Sequence, residues 1–200
     1  MTLLIIAIVL ALLFDFLNGM NDAANSVATI VSTRVLSPRL AVVWATFFNF
    51  AAVFVFGVHV ADTMGRGIVD PTIIDVHMIL TTLISAIIWT HFCTRMGFPI
   101  SVSHALVGGL VGSGVAKAGF DVVIVSGVAK IVLFIVLSPL LGLFLGYGFM
   151  LAVYWIFRRS TPRNMDRWFR KLQLVSAAFY SMGHGANDAQ KTMGIIAVLL

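Results

Sequence analysis

Long apolar runs limit this chain to a narrow set of folds. Hydrophobic residues make up 60% of its 200 residues and charged residues only 10%, whereas soluble domains carry about 25% charged residues. Several runs reach the roughly 20 residues that a helix needs to cross a hydrocarbon core of about 30 Å. The alternation of apolar and polar residues that is typical of the strands of a membrane β-barrel is not evident. The sequence therefore predicts an all-α, polytopic transmembrane helical bundle in a lipid bilayer.

The apolar runs predict about five membrane segments in a first repeat, residues 1–157. The fourth segment is short and rich in glycine, which is typical of a closely packed or re-entrant helix. The fifth is too long for one perpendicular span and too short for two, so its crossing count stays open, and Pro139 is expected to kink it. A second repeat then starts at residues 172–200. The five segments are residues 2–30, 40–60, 72–94, 99–115 and 121–157.

Residues 158–171 are expected to form a basic loop between the two repeats. They hold six basic residues and one acid, and an excess of arginine and lysine marks cytoplasmic loops. Counting back through five crossings places the loop with Arg34 and Arg39 inside, residues 62–70 outside and the N-terminus outside. We therefore expect a multi-pass protein of the plasma membrane. Because orientation in the membrane explains the positive charge, we do not expect nucleic acid as a partner.

Two polar segments near the two ends of the chain have the same spacing. On a helix, positions i, i+3, i+4, i+7 and i+8 share one face, so each segment forms a polar stripe. An odd number of crossings between the stripes would make them run in opposite directions, as in the inverted repeats of secondary transporters. An additional crossing within residues 121–157 would instead make the repeats parallel. The stripes consist of Asn18, Asn21, Asp22, Asn25 and Ser26, and of His184, Asn187, Asp188, Lys191 and Thr192.

Asp22 and Asp188 are the acidic members of the two stripes. A carboxylate in the middle of a membrane helix costs roughly 2.5–3.5 kcal/mol, so two at matching positions imply bound positive charge. Carboxylate and amide oxygens suit alkali cations and protons, and we expect both aspartates to act as metal or proton sites. The alternative is that the stripes only hydrogen-bond neighbouring helices. The expected cation-binding residues are Asn21, Asp22, Asn25, Asn187, Asp188 and Gln190.

A second group of polar residues follows Pro99. With proline at the first helical position, the next free amides and the positive end of the helix dipole form an anion site. Lys191 could add a positive contact, or its charge could instead snorkel to the membrane surface or pair with Asp188. The carboxylates would repel a tetrahedral dianionic substrate, but cations held between them would turn this repulsion into attraction. Transport of the anion would then be coupled to transport of the cations. The expected substrate-binding residues are Ser101, Val102, Ser103, His104, Lys191 and Thr192.

Three segments resemble the inorganic phosphate transporter (PiT) family. They read Gly-Met-Asn-Asp-Ala-Ala-Asn at residues 19–25, Pro-Ile-Ser-Val-Ser-His at 99–104 and His-Gly-Ala-Asn-Asp-Ala-Gln-Lys at 184–191. The resemblance implies an inverted-repeat fold and symport of inorganic phosphate with sodium ions or protons, without another cofactor and without enzymatic activity. Val102 and Ser103 depart from the family pattern, which commonly has hydroxyl residues there. Family members are longer, so we expect the N-terminal part of a transporter with a truncated second repeat.

The residues leave other functions open. Sulfate shares the tetrahedral shape and charge of phosphate, so a sulfate permease of the same family is the first alternative. An intramembrane metalloenzyme would use His91, His104, His184 and the aspartates, but no H-E-x-x-H or comparable ligand spacing occurs. The sequence does not decide whether the coupling ion is sodium or a proton. It also does not decide whether the protein forms a homodimer. We expect these 200 residues alone not to transport, because half of the anion site would be absent.

Overall fold

The computed structural model describes residues 1–55 and 67–199, and almost all of them are helical. Within these ranges it contains no β-strand, and only a single bridge joins Val69 to Val123. The predicted all-α class is therefore confirmed. The α-helices in the described ranges are α1 (Thr2–Ser32), α2 (Pro38–Val55), α3 (Val76–Met96), α4 (Val102–Ala118), α5 (Val125–Phe157) and α6 (Pro162–Leu199).

Four of these helices, α1, α2, α3 and α5, are long and apolar enough to cross a membrane. The chain is therefore an integral membrane protein, as its apolar runs predict. The second predicted segment continues to residue 60, and the predicted outer loop covers residues 62–70. Of these, residues 56–66 lie outside the described part of the chain.

Capping side chains decide where α3 begins. Asp75 Oδ1 accepts a hydrogen bond from the Met78 amide at 2.8 Å, so α3 starts at Val76, later than the predicted start at residue 72. An N-cap carboxylate satisfies one of the free amides of the first turn, which stabilises the helix start at that point. Residues Pro71–Ile73 form a separate 3-10 turn before it.

Helices α3 and α4 form an antiparallel hairpin. Gly97 ends α3 in the left-handed conformation, with φ of 72°, which glycine adopts without a steric penalty. At the opposite end, Lys117 Nζ lies 2.7 Å from Asp75 Oδ2. Gly109 allows the two helices to pack closely, because a Cβ atom there would lie 2.9 Å from the Thr82 carbonyl oxygen. We call the end near Gly97 the hairpin tip and the end near Lys117 the hairpin base.

Pro99 does not start α4, which corrects the prediction that it occupies the first helical position. It lies within residues 97–101, which form the non-helical hairpin tip, and α4 starts at Val102. Ser101 is the N-cap, and its Oγ accepts a hydrogen bond from the His104 amide at 3.4 Å. A serine oxygen caps a helix well because it pairs with a free amide. The Ser101 oxygen is therefore engaged by its own helix, and only its O–H can donate elsewhere.

Helix α5 is one continuous helix through Pro139, so most of the fifth apolar segment forms a single helix. Its 33 residues span about 50 Å at 1.5 Å per residue, more than the hydrocarbon core of a bilayer. Val128 and Ile131, near its start, pack against the core of the bundle. No residue of α5 is fully buried against the described parts of the chain. Most of this helix therefore presents an apolar surface outward.

Helix α6 contains most of the segment that the sequence predicts as a basic loop. Only residues 158–161 lie between the helices, and α6 starts at Pro162. Proline is favoured at the first helical position because it has no amide to leave unpaired. The Phe157 and Phe169 rings pack edge to face with centroids 5.3 Å apart, which stabilises the sharp connection from α5 to α6. The structure thus has a short elbow and a helix where a loop at 158–171 is predicted.

Helices α1 and α6 pack side by side in opposite directions. Near the end of α1, Thr33 Oγ1 donates to Gln173 Oε1 near the start of α6 at 3.0 Å. In the first half of α1, Asp15 Oδ1 accepts from Thr192 near the end of α6 at 2.9 Å. Helix α2 contacts α6 where α6 carries Gly185. The main apolar core joins residues of α1, α3, α4 and the last turns of α6.

Candidate functional site

The hairpin tip contacts α1 and α6 at the level of their polar stripes. Thr94, in the last turn of α3, donates from Oγ1 to Asn21 Oδ1 at 2.9 Å, and Asn21 lies well inside α1. Ser103, in the first turn of α4, accepts a hydrogen bond from the Lys191 ammonium of α6. The structure thus brings polar side chains from four helices to one level of the bundle.

Asp22, His184 and Asp188 form an acidic cluster between α1 and α6. One ligand atom from each residue lies within 4.8 Å of the other two. His184 Nε2 is 3.1 Å from Asp188 Oδ2, and Asn25 Nδ2 donates to Asp22 Oδ1 at 3.4 Å. The two aspartates occupy equivalent positions in the repeated motifs, and they face each other because the two helices are antiparallel. Two carboxylates and an imidazole can share protons or bind a cation.

Lys191 connects this acidic cluster to the hairpin tip. Its Nζ lies 2.7 Å from Asp188 Oδ1 and also donates to Ser103 Oγ. The side chains of Lys191 and Asp188 are only 14% and 15% exposed, so their charges stabilise each other away from bulk water. One ammonium group therefore contacts both a predicted cation ligand and a predicted substrate ligand.

Asp15 belongs to the same site, and the sequence prediction did not include it. Its Oδ1 accepts a hydrogen bond from Thr192 Oγ1 at 2.9 Å, which places a third carboxylate beside α6. Asp15 lies outside the repeated motif, so a search for matching segments passes over it. The signal that could have found it is helical spacing, because residues 15, 18 and 22 follow the i, i+3, i+7 pattern of one face.

Other predicted cation ligands make local contacts. Asn21 Nδ2 donates to the Leu17 carbonyl at 3.0 Å, and Asn187 Nδ2 donates to the Gly183 carbonyl at 3.0 Å. The amide oxygen of Asn21 accepts from Thr94, whereas Gln190 is buried within α6. The amide nitrogens of Asn21 and Asn187 are therefore held by their own helices, which orients these two side chains.

The predicted substrate residues of the hairpin fall into two groups. Ser103 faces Lys191, and the Val102 side chain is packed in the apolar core. Ser101 and His104 instead line a groove of about 670 Å³ that follows the glycine-rich face of α4. The structure therefore brings Ser103 and the α6 residues together, and it places Ser101 and His104 along a different surface of the hairpin.

A cavity of about 610 Å³ between α1, α2 and α6 leads to the acidic cluster. Asp15 and Asp188 line it, together with Asn18, Ser26 and Asn49. The side-chain oxygens of these last three residues are buried and have no hydrogen-bond partner within the described chain. Buried oxygens of this kind favour contact with water or a cation. The cavity therefore reaches Asp15 and Asp188 from the side of α2.

Comparison with known proteins assigns this arrangement to a family. Residues 18–200 match the sequence model described as the Phosphate transporter family. The chain belongs to this family. The resemblance of the three segments to the PiT family is thereby confirmed. The phosphate transporter family consists of transporters and not of enzymes, so the alternative of an intramembrane metalloenzyme is set aside.

Relatives within the phosphate transporter family cover the whole chain. One from Rhizobium meliloti (strain 1021), named a probable low-affinity inorganic phosphate transporter, is 56% identical over 198 residues, which are 99% of this chain and 59% of the relative. One of the same name from Streptomyces halstedii is 45% identical over 188 residues, with 92% of this chain and 87% of the relative covered. This chain thus spans less than two thirds of the length of the Rhizobium meliloti relative.

A solved structure has the same fold. It is named the sodium-dependent phosphate transporter, and it matches with a TM-score of 0.81 and 26% sequence identity. The match covers 100% of this chain and 67% of that chain. The helical membrane fold predicted from the sequence is therefore also the fold of a phosphate transporter.

Proposed function

We propose that the chain is the N-terminal part of a secondary transporter that carries inorganic phosphate together with sodium ions or protons across the plasma membrane. The names of the family and of its relatives support phosphate as the substrate. The observation that carries the proposal is the cluster of Asp22, Asp188 and Lys191 beside the hairpin tip. Ionisable groups inside membrane helices are costly to bury and typically mark the path of an ion.

Asp22 and Asp188 are the proposed ligands of the coupling cation. Their carboxylates face each other across α1 and α6, and two negative charges at this distance repel strongly unless a cation or proton lies near. The cavity beside α2 reaches Asp188 and is also lined by Asp15. The name of the sodium-dependent structural relative favours sodium over protons as the coupling ion.

Lys191 is the proposed link between anion and cation binding. Its ammonium is shared between Asp188 and Ser103, so an arriving phosphate at the hairpin tip would compete with Asp188 for the same positive charge. When the Lys191 ammonium moves toward the anion, it neutralises less of the negative charge of Asp188. Asp188 then binds a cation more strongly. Binding of phosphate and binding of the coupling ion would then favour each other, which is the thermodynamic condition for symport.

The site also supports inverted repeats. The two motif helices run antiparallel, and the equivalent residues Asp22 and Asp188 meet at their crossing. The hairpin of α3 and α4 ends at the level of Asn21, in the interior of α1, which favours a re-entrant hairpin. We place residues 158–171 in the cytoplasm, with the N-terminus outside. A homodimer would be compatible with this arrangement.

Uptake of radiolabelled phosphate by proteoliposomes tests the proposal, with the complete transporter reconstituted. We expect uptake to need a sodium gradient at fixed pH, and a proton gradient to replace it if protons are the coupling ion. Excess unlabelled sulfate should leave uptake unchanged; competition equal to that of phosphate would favour the sulfate permease. Uptake in the absence of both the sodium gradient and the proton gradient would contradict the proposal of symport.

Paired variants test the role of the carboxylates. The double variant Asp22→Asn with Asp188→Asn should lose coupled uptake, because both of the carboxylates proposed to bind the cation are then neutral. The matched control is Asp166→Asn, which removes an exposed carboxylate of α6 that pairs with Arg170 away from the site. Coupled uptake that survives in the double variant would show that the aspartates serve only helix association.

A further inference from the structure

One end of the bundle carries an unusual concentration of positive charge. Eight of the thirteen lysine and arginine residues of the chain lie there, and all eight are exposed. Contacts hold the two contributing regions together, since Arg170 Nη1 donates to the Arg34 carbonyl oxygen at 3.3 Å. We call this surface the basic end. It consists of Arg34, Arg39, Arg158, Arg159, Arg163, Arg167, Arg170 and Lys171.

Little negative charge offsets the basic end. Asp166 is the only acid among residues 158–171, and Arg170 Nε contacts both of its carboxylate oxygens at 3.1 Å. Arg163, Arg167 and Arg170 follow the i, i+4, i+7 pattern and therefore share one face of the first turns of α6. The remaining guanidinium groups have no carboxylate within the same segment to pair with.

Two exposed tryptophan rings lie beside the positive charges. Trp155 is 67% exposed and carries the Arg158 guanidinium 4.9 Å from its ring centroid. Trp168 is 65% exposed, and Lys171 Nζ lies 6.0 Å from its ring centroid. Tryptophan is enriched at the level of lipid headgroups, where its apolar ring and polar N–H are both satisfied. Exposure of these apolar rings to water alone is unfavourable, so their position indicates contact with the interface of the bilayer.

We propose that the basic end binds the headgroups of anionic phospholipids in the leaflet that surrounds it. Guanidinium groups bind phosphodiester oxygens in bidentate fashion, and the tryptophan rings place them at headgroup depth. Arginines one turn apart on an open helix face contact successive headgroups and do not enclose a single small anion. The inference depends on membrane insertion alone, so it stands or fails independently of the proposed phosphate symport.

Tryptophan fluorescence in lipid nanodiscs tests the proposal. The complete transporter is reconstituted in phosphatidylcholine with a minor share of brominated phosphatidylglycerol, and separately with the same share of brominated phosphatidylcholine. We expect brominated phosphatidylglycerol to quench the tryptophan fluorescence at an about fivefold lower membrane fraction than brominated phosphatidylcholine does. A fivefold difference corresponds to the attraction of roughly one basic residue to an anionic surface. Equal quenching by the two lipids would overturn the proposal.

A charge variant and its control locate the effect. The triple variant Arg163→Gln, Arg167→Gln, Lys171→Gln should reduce this preference, because it removes three of the eight positive charges. Lys130→Gln, at the opposite end of α5, should keep it. A triple variant that retains the full preference would overturn the assignment to this surface.

Salt and phosphate provide a test on the unaltered protein, which holds even if the triple variant does not fold. The preference should fall as sodium chloride is raised, because exposed charges are screened beyond about 10 Å at 0.1 M salt. A preference that is insensitive to salt would contradict the proposal. Inorganic phosphate should compete no better than chloride at equal ionic strength; stronger competition would identify a site for small anions instead.

Discussion

Replacing Gly185 with alanine tests the closest approach between α2 and α6. A Cβ atom at this position would lie 2.5 Å from the Asn49 carbonyl oxygen and 2.6 Å from the Asn49 Cα. Unstrained contacts of this kind require about 3.5 Å. Both neighbours are backbone atoms, so no change of rotamer can relieve the overlap. The two helices must therefore separate by about 1 Å.

The cost can be worked out from two opposing effects. Overpacking of a close contact costs about 1–3 kcal/mol, and the upper end applies here because the backbone itself must move. Alanine gains about 1 kcal/mol over glycine within a helix, which leaves a net loss of about 2 kcal/mol. Gly185 lies between His184 and Asp188, so the separation also displaces the acidic cluster. We expect phosphate uptake to fall at least roughly tenfold, because displacements of 1 Å disturb a positioned site strongly.

Thermal unfolding and phosphate uptake of the purified transporter check this prediction together. A loss of 2 kcal/mol should lower the midpoint by about 4–8 °C in a chain of this size. The matched control is Gly183→Ala on the same helix, because an added Cβ there meets no described atom within 4 Å. The control should melt at or above the wild-type temperature and keep its uptake. If Gly185→Ala melts and transports like the wild type, the close packing of α2 on α6 is refuted.

Three further changes have defined outcomes. Lys191→Gln leaves Asp188 without its ammonium partner, which should cost up to about 3 kcal/mol and make thermal stability depend on sodium; equal melting in sodium and choline chloride would contradict this. Gly109→Ala should lower the unfolding midpoint by several degrees, because its Cβ would meet a backbone oxygen at 2.9 Å, whereas Gly108→Ala meets no described atom within 4 Å and should not. The hydrogen bond from Lys117 holds the pKa of Asp75 below its usual value, so the charged carboxylate stabilises the hairpin base at pH values above the unfolded pKa. That contribution is lost as the pH falls through the lowered pKa, so the difference in melting between wild type and Asp75→Asn should shrink between about pH 5 and pH 3; a constant difference would contradict it.

The membrane helices could be predicted from the sequence because apolar length alone determines what can cross a bilayer. Their ends could not, since single capping residues decide them. Asp75 delays the start of α3, and Ser101 moves the start of α4 beyond Pro99. The basic segment after residue 158 looks like a loop by its charge. Pro162 nevertheless starts a helix there, because arginine and lysine are good helix formers once the first turn is in place.

The polar stripes predicted which side chains share a helix face, and helical spacing supports no more than that. Spacing along one helix cannot show what lies opposite, so the contact of Lys191 with both Asp188 and Ser103 required the tertiary structure. The pairing of Lys191 with Asp188 is one of the alternatives that the sequence leaves open. Asp15 lies on the same helix face as Asn18 and Asp22 but outside the repeated motif, and its contact with Thr192 across the two helices assigns it to the site.

Helix α5 has a consequence for how the chain tolerates mutation. Most of its side chains depend on no described neighbour within the chain, so exchange among leucine, isoleucine, valine and phenylalanine between residues 140 and 156 should be nearly neutral. A saturation library would show a long tolerant window there, interrupted only by charged substitutions. Positions inside that window that reject apolar exchange would reveal where another protein surface touches this helix.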